Sequence, residues 1–337
     1  MHYDIDGSDG RKVLCIGDLH ISDVFTGKHK DYLSNCFTVL GQITKKVESE
    51  RPACIVLLGD IVGWSETNIR SREVLTMFIR VLMRWNSVCP IFAVRGNHDI
   101  KGYPDFNMLC TIDLIKDAVA TDGYFSYSAN GVEQCRFHLV DYGKEAEPLE
   151  LSSVGSDIVL GHNNYVVQGL TNWYQAKGGI ELGQLKEFNG VEMIISGHIH
   201  RPSPQLLSTT MPDGNVCQLL YAGCPTRPIA EESNYNTCWY TEFGYDSQTN
   251  QTQFYLEPMD LKPYEELFVD NGVVLSEDNE DENAEKMRKE ALTDTLKAIM
   301  DYQIVTGDYE KQIDDIPNAT TKAKEIAKEY IRKAMAS

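Results

Sequence analysis

Seven side chains of this sequence are of types that could together hold metal ions: Asp18, His20, Asp60, Asn97, His162, His198 and His200. Two are carboxylates, one offers an amide oxygen and four are imidazoles. That is too many donors for one tetrahedral zinc site. The set suits two divalent ions about 3.5–4 Å apart, each with five or six ligands. One carboxylate must then serve both ions, and Asp60 is the natural bridge. Mixed oxygen and nitrogen ligation without thiolate favours Mn²⁺, Fe or Zn²⁺ over Ca²⁺ or Mg²⁺. Two divalent ions outweigh two carboxylates, so the loaded pocket is cationic and suits a phosphate ester. His98, one residue past Asn97, is the candidate to protonate the leaving oxygen or stabilise the transition state. Asp99 reads as a cap or supporting partner rather than a ligand. Arg95, Arg201 and Arg227 adjoin these motifs and are candidates for phosphate contact. Each is an equally good partner for a surface carboxylate.

These residues sit where short apolar runs stop. The runs are 12–16, 53–58, 91–94, 157–160 and 191–195. They end in Gly17-Asp18-Leu19-His20, Gly59-Asp60, Gly96-Asn97-His98-Asp99, Gly161-His162-Asn163 and Gly197-His198-Ile199-His200. A short β-branched run closed by Gly reads as a buried strand. Amphipathic helices are expected over roughly 30–48 and 68–85. In the second, Val74, Met77, Phe78, Val81, Leu82 and Trp85 recur at helical spacing. Strand–helix–strand alternation implies a parallel sheet covered by helices, with ligands held outside the C-terminal strand ends. The stretches 124–128, 134–141, 217–222, 236–243 and 252–256 read as strands linked by turns, forming a second sheet. The expected fold is a two-sheet α/β sandwich with flanking helices. The stretch 163–190 reads as loops with one short helix, and His138 and Trp239 as core.

The 337 residues carry 31 basic and 50 acidic side chains, a net charge of −19. That argues against gripping nucleic acid with the whole surface. No apolar stretch reaches the ~18 residues of a membrane span, and the first residues lack the pattern of a secretory signal. The nine cysteines are scattered without a C-x-x-C pair, as in a cytoplasmic protein with reduced, buried thiols. Composition shifts near residue 257. The segment 277–285 holds six acids and no base, the mark of a solvated linker. The expected division is a domain over 1–257, an acidic linker or reduced capping region over 258–285, and a helical appendage over 286–337. The appendage ends in a basic amphipathic helix over 320–336, either a docking helix or a plain solvated one. One basic island lies in the main domain: Arg70, Arg72, Arg80, Arg84 and Arg95 stand against Glu73 alone over 67–95. It is either a DNA-facing or dimer-facing helix, or a solvated helix face.

The order of motifs, D-x-H, GD, GNHD, GH and G-H-x-H over residues 17–200, resembles the calcineurin-like metallophosphoesterase superfamily. The resemblance implies one ion on Asp18, His20, Asp60 and His200, and another on Asp60, Asn97, His162 and His198. The GDxVDRG and GNHE motifs of protein Ser/Thr phosphatases are not matched. Tyr221-Ala222-Gly223-Cys224-Pro225-Thr226-Arg227 is similar to the Y-x-G-[ST]-P segment of SbcD-type DNA repair nucleases and their phage counterparts. Val62 and Gly63 stand where that family often has a histidine. The branch implies a homodimeric, Mn²⁺-dependent DNA exo/endonuclease that docks an SbcC-type SMC-like ATPase through its C-terminal helices. The alternatives are a small-molecule phosphodiesterase or phosphatase of the same superfamily, and a non-catalytic scaffold. The acidity implies weak DNA affinity for this chain alone and reliance on a partner for grip.

Overall fold

A strand buried on both faces can be apolar at every position, because each neighbouring side chain meets a different layer. The computed structural model describes residues 2–6, 12–22, 32–62, 72–100, 123–129, 131–167, 179–203, 206–226, 237–246, 251–261 and 325. It begins with β1 (His2–Asp6), β2 (Val13–Ile16), α1 (Tyr32–Glu50), β3 (Cys54–Leu58), α2 (Arg72–Asn86), β4 (Ile91–Val94) and the single turn α3 (Asn97–Ile100). There follow β5 (Gly123–Ala129), β6 (Val132–Val140), β7 (Ser156–His162), β8 (Tyr165–Val166), β9 (Ile180–Glu181) and β10 (Val191–Gly197). The last elements are β11 (Leu207–Thr210), β12 (Val216–Tyr221), β13 (Thr237–Asp246) and β14 (Gln251–Asp260). No helix among the described residues is long and apolar enough to cross a membrane.

Two large sheets result. One has five strands in the order β14-β13-β2-β3-β4, with β2, β3 and β4 parallel. The other has seven in the order β1-β5-β6-β7-β10-β12-β11, with β6, β7, β10 and β12 parallel. In β2, Leu14 and Ile16 face a core shared with α1 and α2, while Val13 and Cys15 face the second sheet. The intersheet core is crossed by a stack of rings. Phe92 lies 4.2 Å from Phe125 at 8° between planes, and Phe125 lies 4.7 Å from Phe137 at 11°. A third apolar layer, including Tyr165, Leu182, Phe188 and Tyr221, covers the far face of the seven-stranded sheet. The fold is therefore the expected α/β sandwich, with α1 and α2 on the outside of the five-stranded sheet.

The helices fall within a few residues of expectation. They are fastened to each other by Arg84 of α2, whose Nη2 donates to Glu48 Oε2 of α1 at 2.8 Å. Trp85 Nε1 donates to Thr44 Oγ1 at 2.9 Å. The sheet assignments need correction. β13 and β14 join the five-stranded sheet, because β13 pairs antiparallel with β2, rather than forming part of the second sheet. β1 was not anticipated. It is a five-residue edge strand on β5, and its alternation of Tyr3 and Ile5 with two aspartates is too short to stand out. Of the stretch 163–190, expected as loops with one short helix, the described residues form the ribbon β8–β9 and two 3₁₀ turns, Leu182–Gln184 and Lys186–Phe188, and residues 168–178 lie outside them. The boundary expected at 257 falls inside β14, and Leu261 is still buried in the helix-side core. The segments expected over 258–285 and 286–337 otherwise lie outside the described residues, save Glu325. Eight cysteines are buried thiols, Cys110 lying outside the described residues. His138 is buried, and Trp239 is partly buried against the intersheet core.

The ring stack makes the two sheets one unit. Phe125→Ala should lower the unfolding free energy by about 3–5 kcal/mol, the range for emptying a buried aromatic site. Urea denaturation checks it, and a loss below about 1 kcal/mol would place the sheet contact elsewhere.

Candidate metal centre

Five chain segments leave the C-terminal ends of β2, β3, β4, β7 and β10 and converge. β2, β3 and β4 belong to one sheet and β7 and β10 to the other, so the cluster straddles the open end of the sandwich. The backbone is bent hard there. Asp18 (φ 39°), His20 (φ 46°), Asp60 (φ 45°) and His198 (φ 76°) all occupy the left-handed region. Non-glycine residues visit that region at a cost of about 1–3 kcal/mol when the surroundings enforce it. Such strain gathers at sites that must hold side chains in fixed directions. Glycine is required beside them: a Cβ on Gly96 would lie 2.1 Å from Asp60 Oδ1, and one on Gly59 2.4 Å from His162 Nδ1.

The seven expected residues do come together. Asp60 Oδ1 accepts the His98 backbone N–H at 2.9 Å. Its Oδ2 is 3.3 Å from His162 Nε2, 3.7 Å from His20 Nε2 and 3.8 Å from His98 Nε2. On one side, His20 Nε2 and His200 Nε2 are 3.0 Å apart, and Asp18 Oδ1 lies 3.9 and 4.0 Å from them. On the other, Asn97 Oδ1 is 3.3 Å from His162 Nε2 and 2.9 Å from His198 Nδ1. His162 Nδ1 sits 2.7 Å from the Leu58 carbonyl, which makes Nδ1 a protonated nitrogen and turns Nε2 toward Asp60. Asp18 accepts the His198 backbone N–H at 3.0 Å and so ties the first segment to the last.

The charges pull against each other. Burial pushes the Asp18 carboxyl up to about 6, against His162 and His200. Burial would raise Asp60 as well, but His162, His20 and His98 hold it well below the usual carboxylate range. Burial works against a charged His162, yet Asp60 and Asp18 bring it up to about 9. His198 is pushed down to about 4, first by burial and then by His162. A cation relieves a buried set of this kind, since it satisfies several lone pairs at once. Two groupings have ligand atoms close enough for one ion each: Asp18, His20 and His200, and Asp18, Asp60 and His162. The donor set fits divalent metal.

Supporting residues lie around it. Asp99 accepts from the Ile61 N–H at 3.1 Å and the Gly96 N–H at 2.8 Å, so it ties the β3 and β4 segments together. Burial, then Asp60, pushes its carboxyl up to about 7. Arg95 is engaged by the buried Asp141, which accepts its backbone N–H at 2.7 Å and its Nε at 2.6 Å. Arg201 is exposed, and Arg227 lies outside the described residues. Sequence reasoning missed Asp141 and Tyr142. The Tyr142 ring is 5.9 Å from that of His198 and is exposed at the mouth. The Asp141-Tyr142 pair follows an apolar strand, as the ligands do, but without a flanking motif to mark it.

The chain is 27% identical over 159 residues to the uncharacterized metallophosphoesterase YkuE of Bacillus subtilis (strain 168), which covers 47% of this chain and 46% of that protein. The chain thus matches about half the length of that relative. Among solved structures, TT1561 of Thermus thermophilus is 12% identical, with 73% of this chain and 98% of that chain covered and a TM-score of 0.38. A dimetal phosphatase from Danio rerio is 13% identical, with 74% and 96% covered and a TM-score of 0.43. The family described as Calcineurin-like phosphoesterase matches residues 11–202, a stretch that holds every motif from Gly17 to His200, and the chain belongs to that family.

Proposed function

We propose that the chain is a two-metal phosphodiesterase whose substrate is DNA. The observation that carries the hydrolytic reading is the position of Asp60 Oδ2, within 3.3–3.8 Å of His162, His20 and His98. One carboxylate oxygen there faces two groups of nitrogen and oxygen donors. Asp18, His20, Asp60 and His200 would hold one ion, and Asp60, Asn97, His162 and His198 the other. When bound, the two ions supply charge stabilisation at phosphorus and activation of water. Mixed imidazole, amide and carboxylate donors suit Mn²⁺.

The chain's own residues do the rest. Asp60, with Oδ1 spent on the His98 N–H, keeps Oδ2 directed at the centre. His98 follows Asn97 in a single helical turn, and its ring is partly exposed. That places an imidazole at the mouth, where it can donate a proton to the leaving oxygen. The Leu58 carbonyl fixes the tautomer of His162.

The DNA reading rests on the Tyr221–Arg227 segment and its likeness to SbcD-type nucleases. With it come the homodimer, the SbcC-type ATPase partner docked by the C-terminal helices, and the cytoplasmic location. A second reading, a small phosphate ester as substrate, is favoured by one observation. Arg84 and Arg95, two cations of the basic island, are engaged by Glu48 and Asp141.

Two measurements test these readings. His98→Ala should lower kcat on bis-p-nitrophenyl phosphate with Mn²⁺ by about 10²–10⁴-fold, while elemental analysis finds its metal content unchanged. Equal kcat in the two proteins would remove His98 from catalysis. Linear duplex DNA should be cut in Mn²⁺, more weakly as salt rises, and not after chelation. Hydrolysis of the small ester with no DNA cleavage, even with the ATPase partner supplied, would favour the second reading.

A further inference from the structure

The D-x-H segment after β2 is bent at both Asp18 and His20, and bent backbone leaves carbonyls without regular partners. Three consecutive carbonyls are met by buried side chains from elsewhere. The Cys224 thiol donates to the Asp18 carbonyl at 2.8 Å. The Thr226 hydroxyl donates to the Leu19 carbonyl at 3.0 Å. The Tyr32 hydroxyl, from the first residue of α1, donates to the His20 carbonyl at 3.0 Å. Each of these groups has a single hydrogen to give, so three hydrogens match three carbonyls one for one. The three groups also touch: Thr226 Oγ1 is 3.2 Å from Tyr32 Oη and 3.3 Å from Cys224 Sγ. All three residues are buried.

The segment that carries Cys224 and Thr226 grips the far side of the cluster. The Cys224 backbone N–H donates to the His200 carbonyl at 2.8 Å, and the Ala222 N–H to the Ser196 carbonyl at 2.9 Å. Its own position is held by Trp239 Nε1 on the Ala222 carbonyl at 3.0 Å. Contact with the first segment is close, since a Cβ on Gly17 would lie 2.5 Å from the Gly223 carbonyl oxygen. Residues 222–226 therefore touch the backbone of Asp18, Leu19 and His200, and Tyr32 touches that of His20. Those carbonyls belong to the segments bearing Asp18, His20 and His200, one of the two metal-competent groupings. Asn97 and His162 stand on other segments, in α3 after β4 and at the end of β7, whereas Asp18 is common to both groupings and His198 shares the segment of His200.

We propose that Cys224, Thr226 and Tyr32 are positioning residues chiefly for the Asp18–His20–His200 ion. They hold two separate chain segments in the register that brings His20 Nε2 and His200 Nε2 together. The inference rests on the metallocentre reading and concerns only what aligns one of its halves. It also gives the Tyr221–Arg227 segment a task within this chain that does not depend on the nature of the substrate.

The test is calorimetric titration of the metal-free full chain with Mn²⁺. Wild type should take up two ions. Thr226→Val, which keeps the shape and removes the hydroxyl, should weaken one ion by about 10- to 100-fold, the usual effect of losing a group that orients a ligand. The other ion, whose Asn97 and His162 stand on unbraced segments, should be weakened less. Thr226→Ser should restore the first, which a loss of packing alone would not predict. Tyr32→Phe, which keeps the buried ring, should repeat the effect and serves where Thr226→Val does not fold. Thermal unfolding of the metal-free proteins identifies the folded variants. Two ions weakened equally, or neither weakened, in folded variants would overturn the inference. A wild type that binds no divalent ion would overturn the metallocentre reading itself.

Discussion

The Asp60 carboxylate and the peptide around it are the constraint on which the cluster depends. Its carbonyl accepts the His20 N–H at 2.9 Å, its Oδ1 accepts the His98 N–H, and its Oδ2 faces His162. Segments from β2, β4 and β7 thus register on one residue. A carboxylate at that depth is tolerated only while imidazoles or cations face it, because its desolvation is otherwise uncompensated. The residue that assembles the site is also the one that most needs the site to be assembled. Gly96 has no side chain for the same reason, since any Cβ there would collide with Asp60 Oδ1.

Placing the cluster at the mouth of a sandwich solves a mechanical problem. Four ligand-type residues sit at positive φ, and such backbone relaxes unless its surroundings are stiff. Here the surroundings are two sheets locked through the ring stack at Phe92, Phe125 and Phe137. The His162 ring, on the seven-stranded sheet, bonds the Leu58 carbonyl on the five-stranded sheet. That bond joins the layers at the site itself, so a shift between sheets would misdirect a donor. Stiffness in the core and accuracy at the site are one property.

Much of this was legible in the sequence, and the reasons are local. Each metal-type residue lies within a few positions of the end of an apolar run, and apolar runs closed by glycine are strong strand signals. Both helices announce themselves by periodic apolar positions such as Val81, Leu82 and Trp85. Strand order was not legible, because pairing depends on contacts far apart in sequence. Nothing in the residues of β13 says that it will lie antiparallel to β2. Asp141 and Arg95 show the same limit. Arg95 reads as a phosphate contact beside the GNHD motif, and only the fold brings it to a buried carboxylate 46 positions along the chain. The brace of Cys224, Thr226 and Tyr32 crosses more than 190 positions and leaves no periodic trace.

A net charge of −19 and a phosphoesterase centre are compatible because they act over different distances. Beyond about 8–10 Å in physiological salt, scattered surface charge is screened, while charges in a buried cluster are not. An approaching phosphate ester would meet the acidic surface first and the centre only at contact. The acidity therefore limits encounter rate and unaided affinity, and it leaves the chemistry at the centre untouched. Substrate held in place by another surface would escape that limit, because local concentration then replaces diffusion against the field. Ion pairing of Arg84 and Arg95 strengthens the point: each engaged guanidinium is one cation less for capturing a polyanion, and one restraint more on the frame that holds Asp60.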